Sequence, residues 1–328
     1  MADSCNKAKS IIKYVLLFIL AAVLVYFAFR NVNWGAFVSA LGQTRWIWVV
    51  IFCLASVCAI FFRAIRWKEL LIPFDGEISL LKVWDAVNVG NLTSLALPGA
   101  GEFLRCGYVT TKKLEYDKAL GTLICERFWD FIAVVIISIV SFAYEWTRLG
   151  DYFKENLFGP ALGKRGMWWI LVVVVVLSVL FVVIVRKYRD RNAFCGRVAA
   201  SLSRLWLGFK AFEKSENKLL IALSTVVIWA MYILMSFCIL KAVPEMSGLN
   251  LMDAMFFSAI GNLASVVPVP GGIGAYHYLV ASAVGFYGLS WDMGILYATL
   301  NHEIHAVIVA ILGLVCYLHG VRSSRKNS

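Results

Sequence analysis

Residues 90–103 read GNLTSLALPGAGEF and residues 261–276 read GNLASVVPVPGGIGAY, two copies of one pattern whose starts lie 171 positions apart (261 minus 90). Each opens on Gly-Asn-Leu, with the asparagines at Asn91 and Asn262, and each carries an apolar arm into a cluster of helix-breaking residues. These are Pro98, Gly99 and Gly101 in the first copy and Pro268, Pro270, Gly271, Gly272 and Gly274 in the second. A break of this kind frees backbone N–H and C=O groups that lipid cannot satisfy. Non-helical backbone at membrane depth persists only where it is buried in protein or lines a wet cavity. Paired interruptions at corresponding places in two halves point to the substrate site of a transporter. A five-residue match in an apolar chain also arises by chance; the Pro/Gly break that follows both copies argues against that reading.

Composition sets the class. Of 328 residues 61% are hydrophobic and 16% charged, and the mean hydropathy is +0.78, which excludes an ordinary soluble globule. The formal net charge of +11 comes from basic residues clustered beside apolar runs. They read as topology signals, and no nucleic-acid partner is expected. Five of the eight cysteines, Cys53, Cys58, Cys125, Cys238 and Cys316, lie in apolar stretches with no Cys-x-x-Cys pair, so they read as small buried hydrophobes.

The expected fold is an all-α polytopic membrane protein, a single integral membrane domain over 1–328. About six full spans lie near 12–30, 46–63, 118–143, 167–186, 219–241 and 291–318, each long enough for a ~30 Å hydrocarbon core. The run from Tyr14 to Phe29 follows Lys7, Lys9 and Lys13, but it is long for a signal peptide and lacks a small-x-small cleavage site, so it is expected to be retained. Broken segments near 78–112 and 251–288 read as two re-entrant helix pairs. The loop over 187–218 is rich in Lys and Arg, whereas the loop near 241–250 has only Lys241, which places the first in the cytoplasm together with both termini. Each half then reads span, span, re-entrant pair, span. Three spans reverse direction, so 12–143 and 167–318 form an inverted repeat whose two tips meet near the midplane. Within the cytoplasmic loop, Phe194, Val198, Leu202, Leu205, Phe209 and Phe212 recur at helical spacing, the pattern of an amphipathic interfacial helix resting on anionic headgroups.

Charged residues at membrane depth carry the functional expectation. Arg63 and Arg66 stand three apart at the end of the second span, and Glu102 and Arg105 stand three apart after the first break. Glu126, Arg127 and Asp130 lie within LICERFWDFIAVV, inside a span, where isolated charges cost several kcal/mol unless paired or hydrated. Arg127 is expected to pair with Glu126, Asp130, Glu102 or His302. Arg63, Arg66 and Arg105 read either as a clamp for a lipid phosphate, which arginine's planar fork suits, or as topology signals alone. The acids read either as proton or cation ligands or as members of a structural ion-pair network. The last span carries Asn301, His302, Glu303 and His305, and His277 follows the second break. His302 and His305 lack the His-Glu-x-x-His spacing of a zinc hydrolase, so no metal or cofactor is expected. His277 reads as a titratable group or as a hydrogen-bonded structural imidazole.

Four ordered motifs, FFRAIRW at 61–67, GNLTSLALPGAGEFLR at 90–105, CERFWD at 125–130 and SVVPVPGGIG at 265–274, resemble the transmembrane, flippase-like region of the lysylphosphatidylglycerol synthase family over nearly the whole chain. The resemblance implies movement of a lipid between leaflets, and it singles out Arg63, Arg66, Glu102, Arg105, Glu126, Arg127 and Asp130 with the second Pro/Gly break. Where this chain has His277 the family commonly has a glutamate, and where it has the cluster from Asn301 to His305 the family commonly has an arginine. The sequence ends at RSSRKNS just after its last span, as expected of a stand-alone form without the synthase domain.

Three function classes follow. The first is a flippase or transporter of a membrane phospholipid or polyprenyl-phosphate lipid in the cytoplasmic (inner) membrane, with self-association and a separate lipid-synthesising enzyme as further partners. The second is an ion or small-solute transporter on the same scaffold. The third is a non-transporting scaffold or lipid-modifying enzyme, for which no nucleophile and base stand at recognisable spacing; the protein is not expected to be an enzyme.

Overall fold

The structure is a computed structural model that describes residues 19–148, 212–213, 215–264, 267 and 269–326. The span expected over 167–186, most of the 187–218 loop with its amphipathic helix, and Pro268 lie outside the described residues. Every regular element among the described residues is helical. Helix α1 is described over Ile19–Phe29, and α2, Trp34–Gly42, follows at 80° to it. Then come α3 (Trp46–Leu71), α4 (Leu80–Ala96), α5 (Ala100–Val109) and α6 (Tyr116–Tyr144). The second half holds α7 (Lys218–Ala242), α8 (Leu251–Ala264), α9 (Ala275–Gly285) and α10 (Trp291–Lys326). A long helix, two short helices around a break and another long helix therefore occur twice in order. By length and composition α3, α7 and α10 can each cross a membrane, and the bent pair of α1 and α2 would add a fourth.

Local chemistry sets the ends. Asn33, Ser79 and Asn217 cap α2, α4 and α7, each accepting a backbone N–H three residues on, at 3.1, 3.2 and 3.2 Å. The Asn33 cap starts a helix just past the end of the first apolar run. Leu97 leaves the helical region at φ −128°, ψ 97°, and Gly99 turns the chain at φ +78°. In the second break Gly271, Gly272 and Gly274 take φ of +61°, +73° and +86°. Residues with a Cβ rarely hold such angles. The two breaks meet: the Leu95 carbonyl oxygen lies 3.6 Å from where a Cβ on Gly271 would sit.

Apolar burial adds little drive between helices in lipid, so close backbone approach and polar contacts hold the bundle. A Cβ on Gly101 would overlap the Gly90 carbonyl oxygen, which means that α4 and α5 cross backbone to backbone. Gly261, the matching glycine of the second copy, lies against the ring of Tyr276. Gly313 of α10 packs on the Asn88 carbonyl of α4, and Gly274 packs on the Val25 amide of α1. One core gathers Phe52, Met235, Phe256, Phe257 and Tyr297, a second Trp67, Leu71, Val83, Val87 and Leu123, and a smaller third Ile137, Ile228, Trp229 and Ala259. Outward, Ile47 and Leu54 of α3, Phe131 and Ile139 of α6 and Val307, Ile311 and Leu314 of α10 stand exposed, an apolar surface that suits acyl chains.

The loops after α3 and α5 are tied together. Thr111 Oγ1 donates to Asp75 Oδ2 at 2.8 Å, the Glu77 amide donates to Oδ1 at 3.2 Å, and Lys113 pairs with Glu77 at 2.8 Å. The Thr111 hydroxyl, aided by that amide and by Lys113 and Lys82, holds the Asp75 carboxyl below its ordinary range.

One expectation is corrected by the length of α3. Hydropathy ends the second span near Arg63, but the helix continues to Leu71, with Lys68 in its last turn. Arg63 and Arg66 are consequently interior to a helix, and Arg66 is fully buried.

Candidate functional site

Three helices bring one charged cluster together. Arg63 and Arg66 point from α3, Arg105 from α5, and Glu126, Arg127 and Asp130 from α6; Glu102, at the start of α5, completes it. Glu126 is fully buried and lies within reach of four guanidinium groups. Arg127 Nη2 stands 2.7 Å and Arg66 Nη2 3.4 Å from its Oε1, Arg105 Nη2 stands 3.1 Å from its Oε2, and Arg63 Nη1 lies at 4.0 Å. Asp130 takes Arg66 at 2.8 Å, Arg127 at 3.3 Å and Arg63 at 3.6 Å. Arg127 also reaches Glu102 at 3.3 Å. It thus pairs with three acids and not with His302. Neutral groups extend the network, since Arg66 donates to Thr225 Oγ1 at 3.2 Å and Arg63 to Tyr232 OH at 3.2 Å. The Arg105 guanidinium also stacks 4.5 Å above the Trp67 ring.

A cavity of about 920 Å³ opens beside this cluster, and only part of the cluster reaches it. Arg63, Glu102, Arg127 and Asp130 line it; Arg66, Arg105 and Glu126 stand behind the wall, at most 3% exposed. This corrects the expected clamp of Arg63, Arg66 and Arg105. Two of those guanidiniums are turned inward, because the buried carboxylates offer them charge-assisted bonds that an open mouth would not. Arg127, 35% exposed, takes their place at the surface of the cavity.

Both breaks line the same cavity, through Pro98 and Gly99 on one side and Gly271 and Gly272 on the other. Asn262, Asn301, His302 and His305 line it as well. Asn301 Nδ2 donates to Tyr276 OH at 2.9 Å and to Tyr297 OH at 3.3 Å, and Tyr297 shares a 2.6 Å hydrogen bond with Ser236. His302 Nδ1 lies 2.9 Å from Glu303, and His305 Nδ1 lies 2.8 Å from Ser56. His277 and Glu303 are not among the lining residues. His277 is 1% exposed, 3.8 Å from Glu303, and its Nδ1 has no hydrogen-bond partner. The structure thus joins His277, His302 and Glu303 into one group behind and beside the second break. Among the described residues no three His, Cys, Asp or Glu side chains are arranged to hold a metal ion.

Sequence reasoning missed Thr225, Trp229, Tyr232, Ser236 and Tyr297. A hydroxyl or aromatic ring in an apolar helix carries no signal of its own until the facing helix is known.

The family model for the lysylphosphatidylglycerol synthase transmembrane region matches residues 11–313. The chain belongs to that family. It is therefore a multi-pass membrane protein of a lipid-related family. A similar protein is the UPF0104 membrane protein PH1989 of Pyrococcus horikoshii, 26% identical over 104 residues, which are 30% of this chain and 30% of that protein. The chain thus spans about 30% of the length of that curated relative. No solved structure matches.

Proposed function

We propose that this protein moves a phosphate-bearing lipid between the leaflets of the cytoplasmic membrane, with both chain ends in the cytoplasm and the two halves acting as an inverted repeat. One observation carries the reading: both Pro/Gly breaks and the exposed faces of Arg127 and Arg63 line a single cavity. Freed backbone groups need a polar surrounding, and an arginine fork at that surface suits a phosphodiester oxygen pair. The lipid-facing apolar surface supplies a path for tails that stay in the bilayer while the headgroup crosses. The protein acts on this reading as a carrier, not as a catalyst of bond making.

Reconstitution into vesicles that hold a headgroup-labelled phospholipid tests it. With a membrane-impermeant quencher outside, the protein should render inner-leaflet label accessible, and Arg127→Gln should slow this at least ~10-fold, the rate equivalent of about 1.4 kcal/mol. An unaltered rate in a monodisperse Arg127→Gln preparation refutes the phosphate role. A flux of small ions with no lipid movement would favour the ion-transporter reading.

A further inference from the structure

We infer that the headgroup taken by this cavity is a phosphodiester joined to an uncharged, hydroxyl-rich group such as glycerol, inositol or a sugar, and that a cationic, aminoacylated headgroup is disfavoured. The inference rests on reading the cavity as a lipid headgroup site and adds what the site selects.

The charge balance comes first. Arg63, Arg66, Arg105 and Arg127 face Glu102, Glu126 and Asp130, so four formal positive charges against three negative leave one in excess. An ammonium group is best served by a free carboxylate, and both carboxylates that line the cavity, Glu102 and Asp130, already face guanidiniums. Glu126 is fully buried among guanidiniums, Asp130 lies between three of them, and Glu102 is held by Arg127. The facing wall makes this worse for a cation. Besides the phenols of Tyr232 and Tyr276, its titratable cavity-lining groups are His302 and His305, whose protonation adds only positive charge. Glu303, the carboxylate on the same helix, lies outside the lining, is 40% exposed and is bonded to His302. A headgroup with an added amine would meet an excess of like charge, an arrangement that discriminates by repulsion.

Neutral hydrogen-bonding groups make up the rest of the facing wall. Asn301 spends its amide N–H groups on Tyr276 and Tyr297, which leaves its carbonyl oxygen to accept a hydroxyl. Trp229 Nε1 is buried at the wall with no hydrogen-bond partner, so a donor waits there for an acceptor. The rings of Trp229, Tyr232 and Tyr276 add apolar faces with polar edges beside these groups. A cavity of about 920 Å³ is at the upper end of the ~300–1,000 Å³ that hold drug-sized ligands, far more than one phosphate fills. A polyol carried on the phosphate occupies that space and pairs both signs of hydrogen-bonding group, whereas a bare phosphate monoester leaves the facing wall unpaired.

The test measures binding of four defined lipids to the full-length protein in detergent by native mass spectrometry: phosphatidic acid, phosphatidylglycerol, phosphatidylinositol and lysylphosphatidylglycerol. Phosphatidylinositol or phosphatidylglycerol should bind at least ~10-fold more tightly than either of the others, the ratio that 1.4 kcal/mol provides. Asn301→Ala and Trp229→Phe should each narrow the preference over phosphatidic acid by roughly 5-fold, as one lost hydrogen bond does. Unfolding temperatures near that of the unaltered protein show that these two variants are folded. Equal or tighter binding of the lysyl lipid, or phosphatidic acid binding as tightly as the polyol lipids, overturns the inference while leaving a phosphate site in place. Binding of all four lipids that survives Arg127→Gln unchanged would instead remove the phosphate site itself.

Discussion

Neutralising Glu126 should cost far more than neutralising Glu102, although both carboxylates face Arg127. In Glu126→Gln the side chain keeps its shape and loses its charge. Arg105, 3% exposed, has no other carboxylate within 4.0 Å among the described residues, and Arg66, fully buried, retains only Asp130. Removing one member of a buried pair costs about 3–5 kcal/mol, because the remaining charge stays desolvated. The Glu102–Arg127 pair is 38% and 35% exposed on its two sides, so its loss is screened and costs about 0–1 kcal/mol. Thermal unfolding in detergent, followed through the fluorescence of the twelve tryptophans, compares the two variants under one condition. Glu126→Gln should unfold well below the parent and Glu102→Gln close to it. Adding Arg105→Met to Glu126→Gln removes the stranded charge and should recover part of the loss, a coupling that a double-mutant cycle measures. Equal unfolding temperatures for the two single variants would refute the claim that Glu126 holds these helices together.

Two further expectations concern the backbone and the loops. Gly272→Ala forces a Cβ onto a residue at φ +73° and within 3.3 Å of His302 Nε2, so it should destabilise by roughly 1–2 kcal/mol, whereas Gly121→Ala in α6, where a Cβ would meet nothing within 4 Å, should stabilise by up to about 1 kcal/mol; paired unfolding curves check the opposite signs. Thr111→Val should raise the depressed Asp75 carboxyl toward its ordinary range. A depressed carboxylate contributes stability that is present above its unfolded-state pKa and is lost as pH falls through the folded value, so the gap in unfolding temperature between parent and Thr111→Val should be largest at neutral pH and close under acid conditions.

The breaks were legible because proline and clustered glycines act locally: Pro98 with Gly99, and Pro270 with Gly271 and Gly272, end a helix by what their own backbones disfavour. The pairing of Arg127 was legible as well, since three charged residues inside an apolar run must find partners or water. The inward turn of Arg66 and Arg105 was not. A hydropathy window stops at the first arginines it meets, while the helix itself continues because carboxylates on α6 receive those arginines. Nor was the 80° turn into α2, where Asn33 caps a new helix within a few residues of the end of the first. Trp229 and Tyr232 carry no signal in the sequence, and only the approach of α7 to the charged wall of the cavity gives them polar work.

The missing side chains at Gly90 and Gly101 have a mechanical consequence. With the two backbones in direct contact, the spacing of α4 and α5 is set by the main chain itself, and Ser94 and Arg105 flank the crossing without holding the helices apart. The first broken segment therefore has no spacer at its own crossing, and any residue larger than glycine there must push the two helices apart. The second segment, where the Tyr276 ring stands between Gly261 and α9, has a side chain at the same joint whose torsions give it slack.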